Sequence, residues 1–202
     1  CHFMFTIAVI AMIYHMFYGM QESYGNLEGA LAIMANGALI LQFPLAHSFL
    51  LSQRGQRILS LLGPKDLAIS LSTTSFTIVA SIQLFALFML WSPSKIVFAL
   101  PFEFLIYILP ILYCLSWFLL IVATIDAGLE VQSGALGWIS VLTRKKPKFP
   151  ELPTTGLYRI IRHPIYASFF LAVLTVPTWT ADQIVVSLIL GGYCIFCLLY
   201  TS

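Results

Sequence analysis

Apolar runs of bilayer length constrain this chain more than any other feature of its sequence. A helical span takes about 20 mostly apolar residues. Six stretches meet or approach that measure: the start to Tyr18, Gly29 to Leu51, Leu67 to Trp91, Phe104 to Ile125, the short Pro164 to Thr178, and Gln183 to Tyr200. Charged residues fill 9% of the 202 positions, against about 25% in soluble domains, so the side chains cannot cover a water-facing surface. The sequence predicts an all-α, polytopic integral membrane bundle of about six transmembrane helices. It excludes an ordinary soluble enzyme and a disordered chain. A net charge of +2 also leaves no electrostatic footprint for nucleic acid. Pro44 and Pro110 fall inside spans and should kink them, as neighbouring helices tolerate.

Charge then orients the spans. Nine of the ten basic residues (Arg54, Arg57, Lys65, Arg144, Lys145, Lys146, Lys148, Arg159 and Arg162) lie in the connections after the second and fourth spans. The opposite loops hold Lys95 with Glu22, Glu28, Glu103 and Asp182. Because Lys and Arg stay cytoplasmic, both termini and the long 126–163 connection are expected in the cytoplasm. The chain divides into a single membrane domain over 1–202, a cytoplasmic loop over 126–163 and a C-terminal transmembrane hairpin over 164–200 turned at Trp179 to Asp182. No internal repeat is present. Ionisable residues are nearly absent at depth, which disfavours a channel or ion-coupled transporter; His15 reads as a satisfied bundle histidine. Cys1, Cys114, Cys194 and Cys197 lie in or beside apolar runs; Cys194 and Cys197 form a single C-x-x-C with no second pair, and all four read as buried, unreactive thiols, with no metal site. The chain starts at Cys1 inside an apolar run, and Cys197 to Ser202 resemble translated adapter sequence, so a fragment with a foreign tail is expected.

Chemistry is expected in the 126–163 connection, since loops longer than about 15 residues are usually functional or disordered. Trp138, Ile139, Val141 and Leu142 suggest a segment lying along the membrane interface, followed by the basic cluster Arg144-Lys145-Lys146-Pro147-Lys148, which suits anionic headgroups. Prolines 150 and 153 hold the next part extended, and Gly156 permits a tight turn. From Leu157 the chain reads as a helix entering the membrane, with Pro164 at the start of the fifth span. On that helix Arg159, Arg162, His163 and Tyr166 would share a face. With Tyr158 they offer two guanidiniums, an imidazole and two phenols to an anionic or zwitterionic ligand bearing an aromatic ring.

Gly156-Leu157-Tyr158-Arg159 followed by Arg162-His163-Pro164-Ile165-Tyr166 resembles the G-x-Y-x-x-x-R-H-P-x-Y signature of membrane methyltransferases, the group of isoprenylcysteine carboxyl methyltransferase and the phospholipid methyltransferases. Ala46-His47-Ser48, Thr124-Ile125-Asp126 leading to Gln132, and Thr155-Gly156-Leu157-Tyr158 resemble the methanethiol S-methyltransferase and NnrU-like branch. The resemblance runs from the second span onwards. It implies S-adenosylmethionine as methyl donor, contacted by Gln132, Leu152, Pro153, Tyr158, Arg162, His163, Pro164, Ile165 and Tyr166, with His47 and His163 as candidate catalytic bases. It also implies a location in the bacterial inner membrane, among membrane lipids. Two departures stand out: Ser168 replaces a family glycine, and the Arg and Glu-rich stretch that follows the sixth span in family members is not in this sequence. Methanethiol, another small thiol, a prenylcysteine carboxylate and a lipid amine all remain open as small-molecule or lipid-like acceptors. The rival readings are a non-enzymatic NnrU-like membrane protein and an NADPH-dependent enzyme resembling sterol reductases.

Overall fold

In hydrocarbon every backbone N–H and C=O needs a partner within the protein, and a helix supplies one locally. The apolar runs fold accordingly in the computed structural model, which describes residues 1–61, 64, 67–149 and 153–200. Lys65 and Leu152, both singled out in the sequence, lie outside the described residues, as do Thr201 and Ser202. The elements are α1 (His2–Phe17), α2 (Gly29–Leu51), α3 (Gln53–Ser60), α4 (Ala68–Met89), α5 (Leu105–Asp126), α6 (Leu129–Gln132), α7 (Ala135–Leu142), a 3₁₀ turn (Gly156–Arg159), α8 (Pro164–Leu174) and α9 (Ala181–Tyr200).

Among the described residues, α2, α4, α5 and α9 are long and apolar enough to cross a membrane, while α1 and α8 are shorter. The expected set of six crossing helices is therefore present as six apolar helices, of which four have full length. Helix α8 has 11 residues, about 16 Å of rise, and it stops at Leu174 rather than Thr178 for a definite reason. Pro177 has no N–H to give the Val173 carbonyl four residues back. That carbonyl instead accepts from Ser187 Oγ at 2.7 Å and Gln183 Nε2 at 3.5 Å, both on α9. The non-helical residues that follow are sheltered by protein, with Val176 and Thr180 fully buried, which is where irregular backbone is tolerated at membrane depth.

Specific contacts fix the directions of the helices. His2 packs edge-on to Trp138 at 5.9 Å, and at the other end of α1 His15 Nε2 meets Met89 Sδ at 3.3 Å. Asn36 of α2 exchanges hydrogen bonds of 2.8 and 2.9 Å with Ser92, just past α4, whereas His47 packs on Phe76 near the start of α4. Helices α1 and α4 thus run parallel, and α2 runs against them. The starts of α1, α4 and α8 share one end of the bundle with the ends of α2, α5 and α9, and every described basic residue except Lys95 belongs to that end. His15 is satisfied as expected: it is 2% exposed, and its Nδ1 lies 3.4 Å from Ser23 Oγ. Cys194 is buried, but Cys114 faces outward from α5, which corrects the reading of the thiols as uniformly buried.

Between the ends lies a core of Met12, Met16, Phe88, Trp91, Tyr113, Trp117, Val173 and Val186. Helix α7 is laid along the first turns of α4. Gly134 takes φ +71° there, where a Cβ would strike the Thr77 side chain. Thr74 Oγ1 donates to the Gly134 carbonyl at 2.6 Å and accepts from the Trp138 N–H at 3.1 Å. Ala135, Gly137 and Ser140 are buried, while Trp138, Ile139 and Leu142 face outward.

The end away from the basic loops is closed by one carboxylate. Asp182, in the first turn of α9, is 5% exposed. It accepts from Gln21 Nε2 at 3.1 Å, Trp91 Nε1 at 3.0 Å, Ser94 N–H at 2.8 Å and Ser94 Oγ at 2.7 Å. Beside it, Thr180 Oγ1 donates to the Gly19 carbonyl at 2.6 Å and accepts from the Gln183 N–H at 2.9 Å. Removing the acceptor strands buried donors, so Asp182→Ala should cost about 3 kcal/mol of stability. Thermal melting of the detergent-purified protein checks this: the variant should melt well below wild type, and equal melting would contradict the role.

Candidate functional site

At the basic end the helices do not close. A cavity of about 670 Å³ opens between α1, α2 and α4, walled by side chains that include His47, Gln56, Thr73, Phe76, Thr77, Gln132 and Tyr166. Three residues singled out in the sequence, His47 on α2, Gln132 at the end of α6 and Tyr166 on α8, therefore meet around one space although they come from distant stretches of chain. Phe149 also lines the cavity, joining it to the basic connection. Among the described residues no Asp, Glu, Lys or Arg lines it. His47 is held between rings, with centroids 5.3 Å from Phe43 and 4.9 Å from Phe76. Among the described residues its buried Nδ1 has no hydrogen-bond partner, and neither does the buried Thr73 Oγ1 on the facing helix. A buried polar atom without a partner costs free energy, and these two belong to residues that line the cavity.

The signature segment is built differently from the sequence expectation. Residues 157–166 do not form one helix. The 3₁₀ turn covers Gly156–Arg159, and α8 starts only at Pro164. Proline cannot donate to the carbonyl four residues back, and it holds the preceding residue out of the helical region; His163 accordingly sits at φ −132°, ψ 66°. Arg159 and Arg162 are exposed and do not share a face with Tyr166, which corrects the picture of two guanidiniums, an imidazole and two phenols converging on one helix. His163 and Tyr166 remain neighbours, with ring centroids 6.1 Å apart. Pro164 is buried, and Pro153 and Ile165 are half-buried.

What holds the segment is Asp126, at the end of α5. Its carboxylate accepts from the Leu157 N–H at 2.9 Å. Gly156 takes φ +61°, and a Cβ there would collide with that same carboxylate. The glycine of the signature is thus required both for its left-handed backbone and for the close approach of Asp126. Tyr158 follows on the same turn, and burial, together with the Asp126 charge, pushes its phenol above the ordinary tyrosine range.

Sequence reasoning did not single out Gln56, Thr73, Thr77, Phe43 or Phe76. One signal was available: six hydroxyl residues crowd the stretch from Ser70 to Thr77 at the start of an otherwise apolar span. Some of them anchor α7, and others face the cavity.

Gly156→Ala should disrupt the turn through both its φ and its clash, whereas Asp126→Asn keeps an acceptor for Leu157. Limited proteolysis of the 126–163 connection should show Gly156→Ala cut faster than wild type and Asp126→Asn close to it. Identical digestion of Gly156→Ala and wild type would remove Asp126 and Gly156 as the anchor.

No family model and no solved structure matches the chain. It is similar to a methanethiol S-methyltransferase of Pseudomonas deceptionensis, 26% identical over 159 residues, which is 78% of this chain and 59% of that protein. It is also similar to a methanethiol S-methyltransferase of Pseudomonas sp. (strain GM41(2012)), 23% identical over 164 residues, covering 81% of this chain and 62% of the relative. The chain spans about three fifths of the length of these relatives.

Proposed function

We propose that this chain is the membrane-embedded core of an S-adenosylmethionine-dependent methyltransferase that converts a small thiol, such as methanethiol, to a thioether. The observation that carries the reading is the cavity at the basic end, where His47, Gln132 and Tyr166 meet around one space. Similarity to two proteins named methanethiol S-methyltransferase supports it. The basic end is taken to face the cytoplasm, since eight of the nine described Lys and Arg residues belong to it, and the bacterial inner membrane is the proposed setting.

The residues present fit the cofactor. A sulfonium is a cation that aromatic faces attract, and Phe76 and Tyr166 offer such faces on the cavity wall. Gln132 supplies amide hydrogen bonds at its rim, and Tyr158, Arg162, His163, Pro164, Ile165, Leu152 and Pro153 would hold the remainder, with Arg162 suited to a carboxylate. When bound, S-adenosylmethionine supplies a methyl group on a sulfonium: the acceptor's sulfur lone pair forms the new S–CH₃ bond, and the electron pair of the broken bond returns to the donor as a neutral thioether.

The protein's own work is alignment, exclusion of water and removal of a proton. A thiol reacts as its thiolate, so its proton must leave before or during attack. His47 is the imidazole on the cavity wall, and its unpartnered buried Nδ1 is available to accept that proton. His163, at the N-terminus of α8 and 6.1 Å from the Tyr166 ring, belongs to the cofactor side and is the alternative base.

Two measurements test the reading. In nanodiscs the protein should bind S-adenosylmethionine saturably, and His163→Ala should abolish or greatly weaken binding. Absence of binding by well-folded protein would overturn the proposal, and NADPH would then be tried for a reductase. Separately, His47→Ala should lower kcat with methanethiol at neutral pH by about 10²-fold and regain part of the loss as pH rises and the thiol ionises unaided. A pH profile parallel to wild type would remove His47 as the base.

A further inference from the structure

The cavity is far deeper than the smallest thiols require. Along α4 its wall runs from Ser72 to Leu84, 12 residues and so about 18 Å of helix rise. The space of about 670 Å³ is typical of a site for one drug-sized ligand and, in the methyl-transfer reading, serves the cofactor at the basic end; methanethiol, with two heavy atoms, would leave the deep end along α4 unfilled.

The wall also changes character with depth. Near the mouth stand Gln132 and Gln56, and then His47 and Thr73 with their unpartnered Nδ1 and Oγ1. Beyond them the lining becomes Phe43, Ala80, Ser81 and Leu84. Phe43 lies one turn deeper in α2 than His47, and the neighbouring Gln42 reaches the Gln83 carbonyl at 3.1 Å, which places this level beside Ala80 and Leu84. The deep arm is therefore largely apolar, with Ser81 as its one hydroxyl among the described lining residues.

We propose that this arm holds the hydrocarbon chain of an uncharged, lipophilic thiol, so that the acceptor range extends from methanethiol to long alkanethiols whose sulfur lies beside His47 and Thr73. This rests on the methyl-transfer reading; the bonds made and broken are unchanged, and the thiol proton again leaves to His47. Such acceptors partition into the bilayer and can reach the arm without carrying a charge through hydrocarbon.

The experiment compares kcat/KM for methanethiol, butanethiol and octanethiol in nanodiscs, for wild type and for Ala80→Phe and Leu84→Phe, each of which fills the arm. In wild type kcat/KM should rise with chain length, by up to about fourfold per methylene, until the arm is full. Partitioning into lipid alone would raise it equally in all three proteins. The proposal instead expects Ala80→Phe and Leu84→Phe to lower the octanethiol-to-methanethiol ratio tenfold or more. A ratio that stays at the wild-type value in both folded variants would overturn it, as would turnover of methanethiol with no turnover of octanethiol. A second readout needs no catalysis: octyl methyl sulfide should raise the Tm of wild type and not of the filled variants. If no thiol is methylated but this shift is seen, the arm stands and the methyl-transfer reading fails. If methanethiol is methylated and the shift is absent, the reading stands and the arm fails.

Discussion

The buried carboxylate of Asp182 is the contact on which the shape of the bundle depends. It carries four hydrogen bonds from the connection after α1, the end of α4 and the loop that follows. All of these donors come from neutral groups. A buried charge is tolerable only when hydrogen bonds replace its hydration, and its place in the first turn of α9 adds the favourable field of a helix N-terminus. Because these segments are drawn to one point, the ends of α1 and α4 and the start of α9 are pinned together there. At the opposite end the basic loops are held by Asp126 and Thr74 instead. One end is thereby stitched shut by polar contacts, and the other opens into a cavity.

The C-terminal hairpin follows from proline chemistry. Pro164 sets where α8 can begin, and Pro177 frees the Val173 carbonyl that Ser187 and Gln183 then take from α9. Those two side chains are buried polar groups whose partner exists only because the helix broke. The same break makes α8 short and lets non-helical residues finish the crossing under cover of the core. Tyr166, in the first turn of α8, is carried to the cavity wall by this arrangement, while His163 stands just outside the helix beside it.

Much of this was legible in the sequence, and the parts that were not share a cause. Span positions follow from apolar runs, a signal summed over some twenty residues, and the α2 bounds agree at both ends. The clustering of His47, Gln132 and Tyr166 was foreshadowed by the family resemblance, not by any spacing in the chain. The shared helix face of Arg159, Arg162 and Tyr166 failed because helical periodicity was carried across Pro164, the residue that forbids it. Thr73 and Thr77 were passed over because a hydroxyl in an apolar helix can satisfy itself on its own backbone, as Thr124 does on Leu120 at 2.7 Å. Sequence alone does not tell which hydroxyl will do so and which will face a cavity. The task of Asp126 was hidden for another reason: its partner, Leu157, lies 31 residues away.

Among the described residues the cavity wall carries no Asp, Glu, Lys or Arg, which bears on which acceptor the proposed reaction uses. A prenylcysteine carboxylate or a lipid amine would bring an ion into a lining of aromatic, aliphatic, hydroxyl and amide groups, and the effective penalty for burying an unpaired ion is several kcal/mol. A thiol escapes that penalty by entering neutral and ionising only when its proton has a destination. His47, between Phe43 and Phe76, provides one without adding a permanent charge to the wall. In the proposed reaction the donor's carboxylate is left to Arg162, which is exposed and meets water as well as its ligand, so that of the two substrates only the neutral acceptor has to enter the largely apolar arm.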